Sequence, residues 1–188
     1  MQVLNKIAAA ALILSAVTTP AMADGFYGAV DFGQTRAKGA CDAVGTGFAG
    51  CEDTATAYRI ASGYQFTPMW GMEISYGNYG KASLGTNSGA ALGDWKMSGI
   101  QISATGAFPL GDALALTAKV GGARTDLELT AVPLAASSTK VAFGFGVRYV
   151  CSKSVALRAQ YESLGVVGDA NTGTARVGFL SVGTMFTF

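Results

Sequence analysis

The chain has 188 residues, of which 50% are hydrophobic and only 13% are charged, and its formal net charge is +1. A soluble domain usually has about 25% charged residues, so this composition leaves too few charges to cover a water-exposed surface. The near-neutral charge gives no indication of a nucleic-acid partner. Beyond the N-terminal segment, no stretch of about 20 apolar residues could form a transmembrane helix. A membrane chain of this kind favours a closed β-barrel, because only helices and closed barrels satisfy their backbone groups in lipid.

Residues 1–23 have the three parts of a cleavable signal peptide. Lys6 provides the positive charge, residues 7–17 form the apolar region, and Ala21-Met22-Ala23 forms the cleavage site. The apolar region has about eleven residues, which is too short to span a bilayer core. We therefore predict a signal peptide over residues 1–23 and one exported domain over residues 24–188.

From Gly25 onward the chain repeats one pattern, in which strands of alternating hydrophobicity are joined by short turns and longer loops in alternation. We predict strands at residues 25–35, 56–66, 70–79, 94–108, 113–124, 139–150, 154–163 and 174–188. The longer loops are predicted at residues 36–55, 80–93, 125–138 and 164–173. Short periplasmic turns and longer external loops are typical of outer-membrane barrels. The predicted fold is all-β: an eight-stranded antiparallel up-and-down transmembrane β-barrel.

Aromatic residues lie at the strand ends next to the short turns, where a membrane barrel has an aromatic girdle. The predicted girdle residues are Phe26, Phe66, Trp70, Phe108 and Tyr149.

The face opposite each apolar face carries the charged residues of the strands. These predicted lumen residues are Asp31, Arg59, Glu73, Lys119, Arg148, Arg158 and Glu162. Many of the other positions on this face are Gly or Ala, and the interior of an eight-stranded barrel is only wide enough for side chains. The alternative is a soluble barrel such as a lipocalin, whose apolar face would point inward around a ligand cavity. The inward charges favour a membrane barrel with a paired charge network, because unpaired buried ions would be very costly.

The strand order, the segment GFYGAVDFGQ, the inward charges and the final residues FTF together resemble the OmpA transmembrane-domain and opacity-protein superfamily. The resemblance covers nearly all of residues 25–188. It implies a small monomeric or weakly associating barrel in the bacterial outer membrane. Such a barrel is in contact with outer-membrane lipid and lipopolysaccharide and is folded by the outer-membrane assembly machinery. Phe186 and Phe188 match the C-terminal assembly signal of such barrels. Because the sequence ends at Phe188, we expect no peptidoglycan-binding domain and carry over no role in cell-wall tethering.

Two basic residues, Arg124 and Arg176, have the lipid-facing parity near the loop ends of their strands. Their charges could reach the membrane interface, where they cost little. They could instead contact the anionic sugar–phosphate groups of the outer leaflet, and the sequence favours neither interpretation.

The cysteines divide into a pair and a single residue. Cys41 and Cys51 share the first long loop of an exported protein, which favours a disulfide between them. The alternative of free or metal-binding thiols lacks a supporting His or further Cys. Cys151, in a short turn, is predicted to be a free and half-buried thiol.

The sequence predicts no cofactor, metal or catalytic site. Residues 45–50 spell the dinucleotide fingerprint GxGxxG, but this segment neither follows a strand of a parallel sheet nor begins a helix. Known enzymes built on small outer-membrane barrels use a catalytic His, and this chain has none.

Two functions from different classes remain open, beside a third hypothesis of enzymatic action on lipid at the barrel rim. The first is a structural and surface-exposed interaction protein, with a side-chain-filled lumen and external loops that contact an unidentified ligand. The alternative is a narrow porin-like channel for ions, water or small solutes. The choice depends on whether the inward charges block the lumen or line a path through it.

Overall fold

The computed structural model describes residues 25–38, 53–85, 91–129, 134–169 and 173–188. The predicted signal peptide, Cys41, Cys51 and the glycine-rich segment 45–50 lie outside the described residues. Within these ranges, no helix has the length and apolar character needed to cross a membrane.

Eight antiparallel strands form one closed barrel in which each strand pairs with its sequence neighbours. This confirms the predicted fold class. The strands are β1 (Gly25–Lys38), β2 (Thr54–Gln65), β3 (Trp70–Gly85), β4 (Ala91–Pro109), β5 (Leu114–Leu129), β6 (Leu134–Val150), β7 (Val155–Asp169) and β8 (Gly173–Thr187).

The barrel closes by pairing β1 with β8, so that neither strand keeps an open edge. The register runs from Tyr27 opposite Thr187 to Lys38 opposite Arg176. Beyond the last strand residue, the Phe188 N–H donates to the carbonyl oxygen of Phe26 at 3.0 Å. We call this end of the barrel, which also carries the three short turns, the turn end; the opposite end is the loop end.

The strands extend further toward the loop end than the sequence predicted. Strands β3, β5 and β7 continue to Gly85, Leu129 and Asp169, so the predicted loops at 80–93, 125–138 and 164–173 are wrong over much of their length. The prediction stopped where the apolar alternation stops, but antiparallel pairing continues because it satisfies the backbone groups with any side chain.

Two β-bulges explain why the alternation could not be followed in β3 and β7. The register shifts between Asn78 and Lys81 in β3 and between Ser163 and Gly165 in β7. Each bulge includes a glycine of positive φ, with 93° at Gly80 and 84° at Gly165. A bulge adds one residue and changes which residues face inward, so a strict two-residue pattern fails beyond it.

The outward face of the barrel is apolar, and its side chains are exposed. Examples are Val182 at 65%, Phe32 at 60% and Ile102 at 53% exposure. The five residues predicted for the aromatic girdle are all exposed at the turn end. Tyr64 joins this row, packing edge-to-face against Phe26 at 4.8 Å and against Phe66 at 5.3 Å between ring centroids.

We predict that Phe188→Asp reduces the amount of membrane-inserted protein while export continues, if Phe188 belongs to the assembly signal. The measurement is the heat-modifiable fraction on gels of outer-membrane preparations. Phe108→Asp is the matched control, because Phe108 is a second exposed aromatic residue at the turn end. An equal loss in both variants would indicate a general cost of placing a carboxylate at the interface, and normal insertion of Phe188→Asp would refute the signal.

Candidate functional site: the charge ring and the apolar plug

Six of the seven predicted lumen charges meet in the middle of the barrel. They are carried by β1, β2, β3, β5 and β7, whose inward positions point into the same narrow space. The side chains of Asp31, Arg59 and Glu162 are 0% exposed, so water does not screen their charges.

Asp31 binds two arginines from opposite sides. Arg59 donates from Nε and Nη2 to Asp31 Oδ2 at 2.9 and 2.7 Å. Arg158 donates from Nε to Oδ1 at 2.7 Å and from Nη2 to Oδ2 at 2.6 Å. The second pair is bidentate, a geometry that adds both energy and directional specificity to a charged hydrogen bond.

The two glutamates complete the arrangement. Glu73 accepts from Arg158 Nη1 at 2.6 Å, and its other oxygen lies 3.3 Å from Lys119 Nζ. Glu162 Oε1 contacts Lys119 Nζ at 2.6 Å and also accepts from Arg59 Nη1.

These contacts close into a cycle in which acids and bases alternate. We call it the charge ring; in order its members are Asp31, Arg59, Glu162, Lys119, Glu73 and Arg158. Each carboxylate binds two cations, and each cation binds two carboxylates. The ring is therefore electrically neutral, as a group of buried ions must be to offset its desolvation.

Two further side chains hydrogen-bond to the ring, and Oε2 of Glu162 is left without a partner among the described residues. Tyr27 OH donates to Glu73 Oε2 at 3.1 Å. With its amide oxygen turned toward the two guanidinium groups, Gln160 accepts from Arg59 Nη2 at 3.1 Å and from Arg158 Nε at 2.9 Å. Gly63 makes room for Tyr27, because a Cβ atom there would lie 2.2 Å from the tyrosine ring.

On the loop side of the ring the lumen is filled by apolar side chains that the sequence analysis missed. We call this cluster the apolar plug; its larger buried members are Tyr79, Met97, Leu164, Val177 and Phe179. The rings of Tyr79 and Phe179 meet edge-to-face at 5.6 Å.

The plug rests directly on the ring. The Phe179 ring lies 5.7 Å from the Arg59 guanidinium carbon, within range of a cation–π contact. Part of the plug could have been predicted from the sequence, since Phe179 falls on the inward-facing side of the two-residue alternation in β8. Leu164 was not detected because it fell in a predicted loop.

A family model described as the OmpA-like transmembrane domain matches residues 21–188. The chain belongs to this family. It is therefore an OmpA-like barrel of the bacterial outer membrane.

The curated relatives of this OmpA-like barrel are longer proteins. Outer membrane protein A of Salmonella typhi and that of Shigella flexneri are each 32% identical to it over an alignment of 137 residues, and each match covers 67% of this chain. The chain spans 38% of the length of each relative.

Solved structures share the fold at low sequence identity. Ail, the attachment invasion locus protein of Yersinia pestis, in complex with the heparin analogue sucrose octasulfate, aligns with a TM-score of 0.60 at 16% identity, covering 89% of this chain and all of that one. Neisserial surface protein A aligns with a TM-score of 0.59 at 23% identity, covering 87% of this chain and 97% of that one. OprG of Pseudomonas aeruginosa aligns with a TM-score of 0.54 at 12% identity, and the two coverages are again 87% and 97%.

The seventh predicted lumen charge of the OmpA-like barrel, Arg148, lies inward on β6 but does not join the ring. It is half-buried on the turn side and has no ion pair with any carboxylate of the described residues. Of the remaining predicted residues, Cys151 is a free cysteine and is exposed, so its predicted half-burial is wrong. Its position in a short turn at the end of the barrel leaves it without covering strands.

We predict that Arg59→Met lowers the free energy of unfolding by about 3–5 kcal/mol, because it leaves two buried carboxylates with one cation each. The measurement is urea unfolding of the barrel in lipid vesicles. Arg36→Met is the matched control: Arg36 bonds Asp53 at 3.1 Å in an exposed pair, and such pairs contribute about 1 kcal/mol or less.

A double variant separates charge balance from lost packing. Arg59→Met combined with Glu162→Gln leaves two acids and two bases in the ring, so its cost should be smaller than the sum of the two single costs. If the losses of unfolding free energy in the two single variants simply add in the double variant, the six residues do not act as one unit. The same conclusion follows if Arg59→Met destabilises the barrel no more than Arg36→Met does.

Proposed function

We propose that this barrel is a closed structural protein of the outer membrane that presents its loop-end segments at the cell surface for interaction. The observation that carries the proposal is the filling of the lumen in two layers, the charge ring and the apolar plug.

The two layers oppose ion flow in different ways. The ring has no unpaired charge to attract an ion, because each of its members already has two partners of opposite sign. The plug places Tyr79, Met97 and Phe179, each at most 2% exposed, across the same lumen. Apolar constrictions block conduction because an ion and its water are unfavourable there.

The surface role is supported by the positions and composition of the segments at the loop end. Residues 39–52, 86–90, 130–133 and 170–172 join strands at that end and contain mainly Gly, Ala, Thr and other uncharged residues. In this family of architectures the longer connections face the cell exterior. The structure of Ail in complex with a heparin analogue is a barrel of this fold with a bound ligand, which supports a binding role here. It does not identify the ligand of this chain.

The alternative is a narrow channel for ions, water or small solutes. It is favoured by buried lumen groups that have no hydrogen-bond partner in the described part of the chain, namely the amide of Gln101 and the hydroxyls of Thr35 and Ser181. Such groups are commonly satisfied by internal water. A chain of waters past the ring and the plug would be a path.

Planar-bilayer recording tests the closed lumen. We expect no steady conductance from the wild-type barrel. We expect openings from Arg59→Ala combined with Phe179→Ala, which shortens one side chain of each layer. Heat-modifiability of each sample is the control for insertion. Steady wild-type openings that disappear when Arg59 or Glu73 is changed would overturn the closed-lumen proposal in favour of the channel.

Epitope insertion tests surface presentation separately. A peptide tag inserted after residue 88, between β3 and β4, should be labelled by antibody on intact cells. The same tag after Gly111, in a turn-end connection, should be labelled only in permeabilised cells. Gly111 is a suitable control because a side chain there would meet no atom within 4 Å. Labelling at Gly111 on intact cells would reverse the proposed orientation.

A further inference from the structure

A cavity of about 50 Å³ lies in the lumen between the charge ring and the turn end. Its lining includes Tyr27, Thr105, Lys119, Arg148, Arg158 and Gln160, so it faces both the ring and the unpaired Arg148. The three short turns at the turn end, residues 66–69, 110–113 and 151–154, are all within the described ranges.

Two arginines lie directly opposite each other at this cavity. Arg148 on β6 pairs with Arg158 on β7 in the strand register. Like charges in this position destabilise a sheet unless something neutralises them. Arg158 is neutralised within the ring by Asp31 and Glu73.

Glu73, the ring carboxylate that lines the cavity, has no free oxygen for Arg148, and the unpartnered Oε2 of Glu162 belongs to a residue outside the lining. Of the Glu73 oxygens, Oε1 contacts Lys119, and Oε2 accepts from Arg158 and Tyr27. The guanidinium of arginine keeps its charge at any pH relevant to a protein. The ring is neutral, so Arg148 is the surplus positive charge of the lumen.

Two polar atoms of the cavity lining are buried and lack a partner among the described residues. They are Nε of Arg148 and the hydroxyl oxygen of Thr105. The Nε–H group can only donate, and the hydroxyl can donate, so the complementary ligand is an acceptor. Because Arg148 is also an uncompensated charge, a negative acceptor suits the site better than water does.

We propose that this cavity binds a small monovalent anion of the halide class, held by the Arg148 guanidinium and the Thr105 hydroxyl. One water needs about 10–15 Å³ of such space, so the cavity of about 50 Å³ holds an ion of chloride size together with a few waters. Sugars and lipid headgroups are too large. Arg148 is half-buried, which gives the anion access from the turn end.

Thermal unfolding of the wild-type barrel in detergent tests the site in solution. The midpoint is measured in sodium chloride and in sodium gluconate at equal ionic strength, since gluconate is too large for the cavity. We expect chloride to raise the midpoint to a saturating value. Arg148→Gln should lose this dependence and Arg148→Lys should retain part of it. Arg124→Gln, which removes an exposed charge at the loop end, should retain all of it.

Bromide soaking of wild-type crystals locates the ion without any variant. We expect an anomalous-difference peak in the cavity beside Arg148. The proposal is overturned if the peak is absent, which would mean bound water only. It is also overturned if the chloride dependence persists in Arg148→Gln. A peak without any chloride effect on the wild-type midpoint would mean binding at crystal concentration only, and it likewise counts against the proposal.

Discussion

The charge ring is the constraint on which the rest of the lumen depends. Six ionised side chains held away from water are tolerated only when every charge is paired, and the cycle achieves this with three acids and three bases. Such a ring need not stabilise the barrel more than an apolar filling would, but moving one of its charged groups away from its partners is strongly destabilising. Because its members lie on five strands, it favours the one strand register in which all contacts form at once.

The ring also determines how the two halves of the lumen are filled. On the loop side, Phe179 lies against the guanidinium of Arg59 and Tyr79 packs against Phe179, so the buried ions have an apolar cover on that side. A lower local dielectric strengthens each ion pair, so the apolar plug supports the ring on which it rests. On the turn side the lining is more polar and a cavity remains. The lumen is therefore asymmetric along its axis, although the outward face is apolar on every strand.

Much of the fold could be predicted because the period of two in a strand is a local property of the sequence. The inward placement of Asp31, Glu73 and Arg158 followed from that parity alone. Pairing could not be predicted, because which inward residues meet depends on the tilt and register of strands far apart in sequence. Arg148 shows this limit: it shares the parity of the ring residues, but the register places it opposite Arg158 instead of a carboxylate. The plug was missed for a related reason, since Leu164 lies next to a bulge that interrupts the alternation.

The fold and the proposed surface role depend on separate parts of this chain. Barrels with 12–23% identity to this chain share its architecture, so the fold does not depend on most of its individual residues. That tolerance leaves the lumen and the loop-end segments free to differ between proteins. A ring of six alternating charges is therefore more informative than the barrel around it, because the outward pattern alone does not require it. Inside the barrel, the ring and the apolar plug leave room at the turn end for no more than a small ion, which is why we propose that recognition of larger ligands takes place at the loop end.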